Sequence, residues 1–294
     1  MKNYFISSGI ELLDSCLGGG FRRKGSYLIA SEKKAGKSSF VRRLIFNLLV
    51  LGRKVLLIDT EETEEDIIFT VASVAKQKDL LNITDEDLED MKPVLENLLL
   101  LDCNQAAEEF YLEGEFSIDR LESFISKQVS LGAEVVVFDN VTRIGAETSA
   151  NARMKVMAQL VRIAKKYGVL IFVVGHTPST EVDTLDRKLV DRAIETRQFN
   201  ELLNTTQNFV QRPKDPYGGS VTSQFDAVLI IWRPFQYYSL PELQSVSWLI
   251  VEQIRTASPF TLRMSYFGRR RYFEILDNQQ EDGQNKPGPL WKKV

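Results

Sequence analysis

The apolar residues of this 294-residue chain fall into short runs separated by segments of helical period. The runs at 25–30, 54–59, 98–102, 134–139 and 169–174 are rich in Val, Ile and Leu, and they read as strands buried on both faces. Between the first two, 37–51 carries apolar residues at Phe40, Val41, Leu44, Ile45, Leu48 and Leu49, which predicts a helix. Further helices are predicted over 62–78, 84–96, 117–131 (Ser117 at the cap, Arg120 in its first turns) and 150–167. The C-terminal part is β-rich, with runs at 227–232, 247–253, 260–266 and 272–276. Alternation of this kind predicts an α/β fold, a mostly parallel central sheet flanked by helices with a β-rich C-terminal end. No internal repeat is visible, and 1–276 reads as one domain. The polar stretch 177–219 has no strand pattern, and the Pro/Gly-containing 277–294 is expected to be a poorly ordered tail.

The segment joining the first strand to the first helix is Ser31-Glu32-Lys33-Lys34-Ala35-Gly36-Lys37-Ser38. A strand, a loop of this composition and a helix aim backbone N–H groups and the positive helix end at one point. A triphosphate there is stabilised by those donors, by the Lys37 ammonium and by Mg²⁺ on the Ser38 hydroxyl. Ser31, Lys34, Ala35, Gly36, Lys37, Ser38 and Ser39 are therefore the candidate nucleotide-binding residues, with ATP and Mg²⁺ as the expected cofactors. Ser31 stands where this loop usually has glycine.

Composition narrows the class without choosing a function. Hydrophobic residues make up 44% and aromatic residues 10%, enough for a real core, and no apolar stretch is long enough to span a bilayer. The N-terminus lacks a signal-peptide pattern, and Cys16 and Cys103 have no metal-ligand spacing. A cytosolic protein is expected, in a bacterial or phage-infected cell. The net charge of −3 gives no sign of a surface coated for nucleic acid. It leaves room for a narrow single-strand channel lined by a few basic contacts.

Nucleotide hydrolysis also needs a carboxylate to organise the metal, a group to activate water, and positive charge on the γ-phosphate. Asp139 closes an apolar strand and is the natural metal-organising carboxylate, although strand-ending aspartates also cap turns. Glu61 and Glu62 follow a second strand at the edge where ligands of parallel sheets gather, and either could activate water or simply open an acidic helix. His176, the chain's single histidine, follows a third such strand, where it is a core residue or a member of the site.

In this order the features resemble the RecA-type motor domain of the hexameric replicative helicases: bacterial DnaB, the phage primase-helicases and mitochondrial Twinkle. The resemblance runs from about Ile6 to Leu276. It includes Ser8-Gly9-Ile10-Glu11-Leu12-Leu13-Asp14, Leu17-Gly18-Gly19-Gly20 and the phage-like Gly36-Lys37-Ser38-Ser39-Phe40-Val41-Arg42. Several phage relatives also lack the first loop glycine. The resemblance implies that Glu61 is the general base, that Asp139 with Ser38 organises the metal, and that His176 senses the γ-phosphate. It aligns Gln253-Ile254-Arg255 with a Lys-X-Arg pair that reaches the neighbouring subunit's ATP, so Arg255 would act in trans where otherwise it is an arginine on a half-exposed strand. Gly218-Gly219-Ser220, ahead of Asp226, is similar to the end of a DNA-binding loop.

The implied activity is that of a ring-forming helicase or translocase, expected to be a hexamer, on single-stranded DNA in replication, served by a primase or helicase loader. Gln253 departs from the family lysine, a loss for which Lys33 or Lys34 could compensate. Ser223 stands where relatives have Gln, and 177–217 is longer than usual. Its Arg187, Lys188, Arg192, Arg197, Arg212 and Lys214 would suit phosphates or solvent equally. The family's accessory N-terminal domain is not expected, because the motor pattern starts within about ten residues of Met1. The alternatives are an ATP-switched filament former or loader that does no unwinding, and a KaiC-like regulatory ATPase that never touches DNA.

Overall fold

The computed structural model describes residues 4–143, 150–176, 187–196, 202, 222–236, 241–252 and 254–276. Nine strands form its central sheet: β1 (Ser26–Ser31), β2 (Val55–Asp59), β3 (Leu98–Leu101), β4 (Val135–Asp139), β5 (Leu170–His176), β6 (Ala227–Trp232), β7 (Val246–Glu252), β8 (Phe260–Phe267) and β9 (Tyr272–Ile275). Their spatial order is β9-β8-β7-β6-β1-β5-β4-β2-β3. The six strands from β6 to β3 pair in parallel, while β7, β8 and β9 extend the sheet antiparallel. Strand β1, which feeds the phosphate loop, is thus central and flanked by β6 and β5.

Burial on both sides explains the continuous apolar runs, and successive residues still alternate between faces. On β1, Leu28 and Ala30 join a core with Phe138, Leu160 and Phe110, whereas Tyr27 and Ile29 join one with Phe40, Leu44 and Ile67. The helices among the described residues are α1 (Glu11–Cys16), α2 (Lys37–Val50), α3 (Glu64–Lys76), α4 (Asp85–Leu95), α5 (Cys103–Phe110), α6 (Ile118–Ser130), α7 (Ala150–Tyr167), α8 (Arg187–Thr196) and the single turn α9 (Pro241–Gln244). Core residues of α1, α2 and α3 cover one face of the sheet, and those of α5, α6 and α7 cover the other.

Most predicted boundaries agree with the structure to within two residues, and Ser117 caps α6 by accepting from the Arg120 amide. Two differences have local causes. The third strand stops at Leu101 because Asp102 is the cap of α5, accepting from the amides of Asn104 and Gln105. Helix α1, absent from the predicted set, is a six-residue turn secured where Asp14 accepts from Ser7 Oγ and the Ser8 amide. Residues 277–294 and most of 177–219, including Gly218-Gly219-Ser220, Arg197, Arg212 and Lys214, lie outside the described residues, as does Gln253. In α8, Arg192 is exposed.

Candidate nucleotide site

Parallel strands deliver their carboxyl ends to one edge of the sheet, and the sequence-predicted Ser31, Asp139 and His176 arrive there together with Asp59. Register pairs Ser31 with His176 and Asp59 with Asp139, so β1, β5, β4 and β2 present them in a row. From β1 the chain turns through Lys34 (φ +64°) and Gly36 (φ +89°), and α2 starts at Lys37. Both residues hold the left-handed conformation; Lys34 bears its strain exposed, and Gly36 has no Cβ to strain. Ala35 and Ser31 are buried, with the Ser31 hydroxyl donating to the Glu32 carbonyl at 2.8 Å. Ser38 stands half-buried in the first turn of α2, while Ser39 is buried and lies 3.4 Å from the Tyr266 hydroxyl.

Lys37 is only 5% exposed, and its ammonium lies 4.0 Å from Asp139 Oδ1. That oxygen is buried and accepts no hydrogen bond. Burial pushes the Asp139 carboxyl up to about 6, against the opposing pull of Lys37 and Arg42. A buried acceptor without a hydrogen-bond donor, 4.0 Å from a lysine ammonium that a helix-start serine follows in the chain, suits a hard divalent cation with oxygen ligands. Among the described residues no group of three or more His, Cys, Asp and Glu is arranged to hold a metal on protein ligands alone. Mg²⁺ commonly takes one or two protein oxygens and completes its shell with phosphate and water. The residues present fit that mode.

The two glutamates after β2 have different surroundings. Glu62 accepts from the Arg42 guanidinium at 2.9 Å, whereas Glu61 is solvent-exposed at the sheet edge. The Asp59 Oδ1 atom accepts from both their amides at 2.8 Å, which fixes the turn. The His176 imidazole is held below its ordinary value, first by burial and then by Lys37 and Lys33, with Glu61 opposing. His176 therefore shares an electrostatic environment with the loop lysines and Glu61, and its backbone N–H donates to Thr142 Oγ1 at 3.3 Å.

Arg255 is not at this edge. It follows β7 and donates its backbone N–H to the carbonyl of Asp226, at the opposite, amino end of the parallel strands. Its side chain is 44% exposed, donates to the Gln224 carbonyl at 3.1 Å and lies 3.9 Å from Asp226. Asp226 is itself buried, bound by Arg22 and the Ser26 amide. The length of β1, roughly 17 Å for five residue steps, separates this corner from the phosphate loop.

Two groups escaped sequence reasoning. Arg42 is fully buried among Asp59, Glu62 and Asp139. Its signal was its spacing, four residues after Ser38 and so on the same helix face. The second group is a cation–aromatic patch, in which Tyr266 and Phe273 stack at 4.5 Å between centroids. Arg233 lies over the Tyr266 ring at 4.1 Å and donates to the Lys34 carbonyl at 3.4 Å. Its members come from separate segments of the β-rich end, and only sheet pairing brings them to the loop.

Comparison with known proteins accords with this geometry. The family model described as "ATPase: KaiC" matches residues 6–194, more than half of the chain. The chain belongs to this family of ATPases. It is 23% identical over 171 residues to the DNA repair protein RadA of Helicobacter pylori (strain J99 / ATCC 700824), a match covering 58% of the chain and 32% of RadA. The chain thus spans about a third of that relative's length.

Among solved structures, one described as an ATPase domain superposes with a TM-score of 0.68 at 16% identity, covering 94% of this chain and 92% of the other. A DnaB-like replicative helicase, described with its interactions with primase, also gives 0.68 at 17% identity, covering 94% and 62%. The fold is that of a RecA-like P-loop ATPase. No described helix is long and apolar enough to cross a membrane.

Proposed function

We propose that the protein is a motor ATPase that hydrolyses Mg-ATP at interfaces between copies of itself and moves along single-stranded DNA, separating duplex in replication. The observation that carries this reading is the distance between the two halves of its charge machinery: Lys37 at one edge of the sheet, Arg255 at the other. Arg255 cannot reach its own phosphate loop, yet it is half-exposed and aimed by Asp226 and Gln224. A neighbouring copy in a head-to-tail ring would bring it to a nucleotide.

In this reading the loop amides from Lys34 to Ser39 and the Lys37 ammonium bind and orient the phosphates. The Arg233–Tyr266 patch offers a face on which a base stacks, by cation–π and aromatic contact. Ser38 and the Asp139 oxygen that accepts no hydrogen bond hold Mg²⁺, which when bound neutralises phosphate charge. Glu61, exposed at the sheet edge, orients and deprotonates the attacking water, while Glu62 is occupied by its ion pair with Arg42. His176 connects the site to the segment that follows β5, and a finger such as Arg255 is worth on the order of a thousandfold in rate. Gln253, a primase and a helicase loader belong to the same proposal.

The test is ATP turnover with and without single-stranded DNA over a range of protein concentration, with sizing in parallel. Stimulation that rises as rings form supports the motor. A slow rate indifferent to DNA, from a monomer, sinks it. The KaiC family match and the RadA relative favour a second reading, an ATP-switched protein that binds DNA or a regulatory partner without unwinding. Directional unwinding of a forked substrate separates the two.

A further inference from the structure

We propose that Arg42 is a positioning residue that fixes the water-activating turn to the metal carboxylate. The inference rests on the functional reading above and concerns residues that reading leaves without chemistry. Arg42 lies one helical turn beyond Ser38 and is 0% exposed. One terminal nitrogen bonds Asp59 Oδ2 and Glu62 Oε2, the latter at 2.9 Å. The other lies 3.4 Å from Asp139 Oδ2. Three carboxylates from the ends of β2 and β4 thus converge on a cation carried by the helix of the phosphate loop.

A merely structural arginine would need one partner, and burying three charges (Arg42, Asp59 and Asp139), with Glu62 half-buried beside them, is a costly way to fill a core. What the arrangement supplies is registration. The guanidinium is a rigid planar fork, so it sets the separation of the groups it holds. Asp59 is gripped on Oδ2 by Arg42 and, through Oδ1, grips the amides of Glu61 and Glu62. Asp139 is held on Oδ2, which leaves Oδ1 as the oxygen that faces Lys37. Glu62 is drawn toward the helix and out of competition with Glu61. A second link, Thr60 N–H to the Asp139 carbonyl at 2.7 Å, ties the same two strand ends through backbone. Arg42 therefore sets where the Glu61 turn stands relative to the metal-facing oxygen, without touching nucleotide.

The experiment is Arg42→Lys in the full chain, which keeps the charge but replaces the fork with a point donor. Three quantities are compared with wild type: ATP turnover at saturation, ADP affinity without metal, and amide hydrogen exchange. Turnover is expected to fall about 30- to 100-fold, the scale of an ångström's misplacement in an active site. ADP affinity is expected to stay within about threefold, because the loop amides and Lys37 remain in place. The amides of Glu61 and Glu62 should exchange faster while those of β1, β4 and β5 keep their protection.

Asp59→Asn is the companion variant. It keeps an acceptor for the two amides but weakens the grip of Arg42, and the same pattern should appear at about tenfold. Normal turnover in Arg42→Lys overturns the proposal. So does joint loss of turnover, ADP affinity and sheet protection in both variants, which would make Arg42 a core residue only. A wild-type protein without ATPase activity would refute the functional reading instead, and the exchange comparison would still decide whether Arg42 holds the turn.

Discussion

Replacing Gly36 by alanine probes how tightly the phosphate loop is closed from outside. A Cβ at Gly36 would lie 2.8 and 2.9 Å from two ring atoms of Phe273 and 3.1 Å from a Tyr266 ring carbon. The φ of +89° adds backbone strain that glycine does not suffer. The left-handed conformation costs an L-residue roughly 1–2 kcal/mol. Crowding a packed contact costs about 1–3 kcal/mol more, so the loss of stability should be about 2–5 kcal/mol. Urea unfolding gives that loss directly, and calorimetry with ATP should show at least a tenfold drop in affinity as the loop shifts.

The two contributions can be separated. Phe273→Leu removes ring atoms that the new methyl would strike but leaves φ unchanged. The double variant should recover about 1 kcal/mol or more relative to additivity, and no more than the crowding share. A Gly36→Ala protein within about 0.5 kcal/mol of wild type would refute the closed loop, because ordinary surface changes give effects of that size.

Three further substitutions test the carboxylates. Glu61→Gln should reduce ATP turnover by at least a hundredfold and leave nucleotide binding intact, whereas Glu62→Gln should cost less; the reverse order in a turnover assay would exchange their roles. Asp139→Asn should stabilise the nucleotide-free protein while abolishing hydrolysis. The sign follows from burial raising the folded-state value to about 6, above that of the unfolded chain. This carboxyl favours folding below the unfolded value of about 4, and the contribution is lost as pH rises through about 6. At pH 8 its ionisation costs on the order of 3 kcal/mol, which asparagine avoids, and the gain should shrink toward pH 4. Equal stabilisation at pH 5 and pH 8 would contradict the account.

The sequence carried the central architecture because β1, β2, β4 and β5 are apolar runs ended by a polar residue. Ser31, Asp59, Asp139 and His176 mark their strand ends in the structure for that reason. Helix α5 was less legible, since only Ala106 and Phe110 of its eight residues are buried. Its cap was nonetheless written in the sequence as Asp102 followed three residues later by Gln105.

The order of the strands is a different matter. Local pattern cannot say that β6 lies beside β1, and that adjacency is what carries Arg255 away from the loop. Arg42 was hidden for another reason. An arginine within an amphipathic helix ordinarily marks the solvent face, and only the converging carboxylates account for its burial. The Arg233–Tyr266–Phe273 patch likewise depends on antiparallel pairing between segments remote in sequence.

The central claim is a nucleotide site completed by a neighbour, and mixing two crippled proteins tests it most directly. Lys37→Ala lacks a working loop but keeps Arg255, while Arg255→Ala keeps the loop and should still bind ATP. Each alone should show negligible DNA-stimulated hydrolysis. Combined in equal amounts they should regain activity, because in a randomly mixed head-to-tail ring about a quarter of the sites join an intact loop to an intact arginine. A mixture as inactive as its parts, or an Arg255→Ala protein with normal turnover, would contradict the shared site.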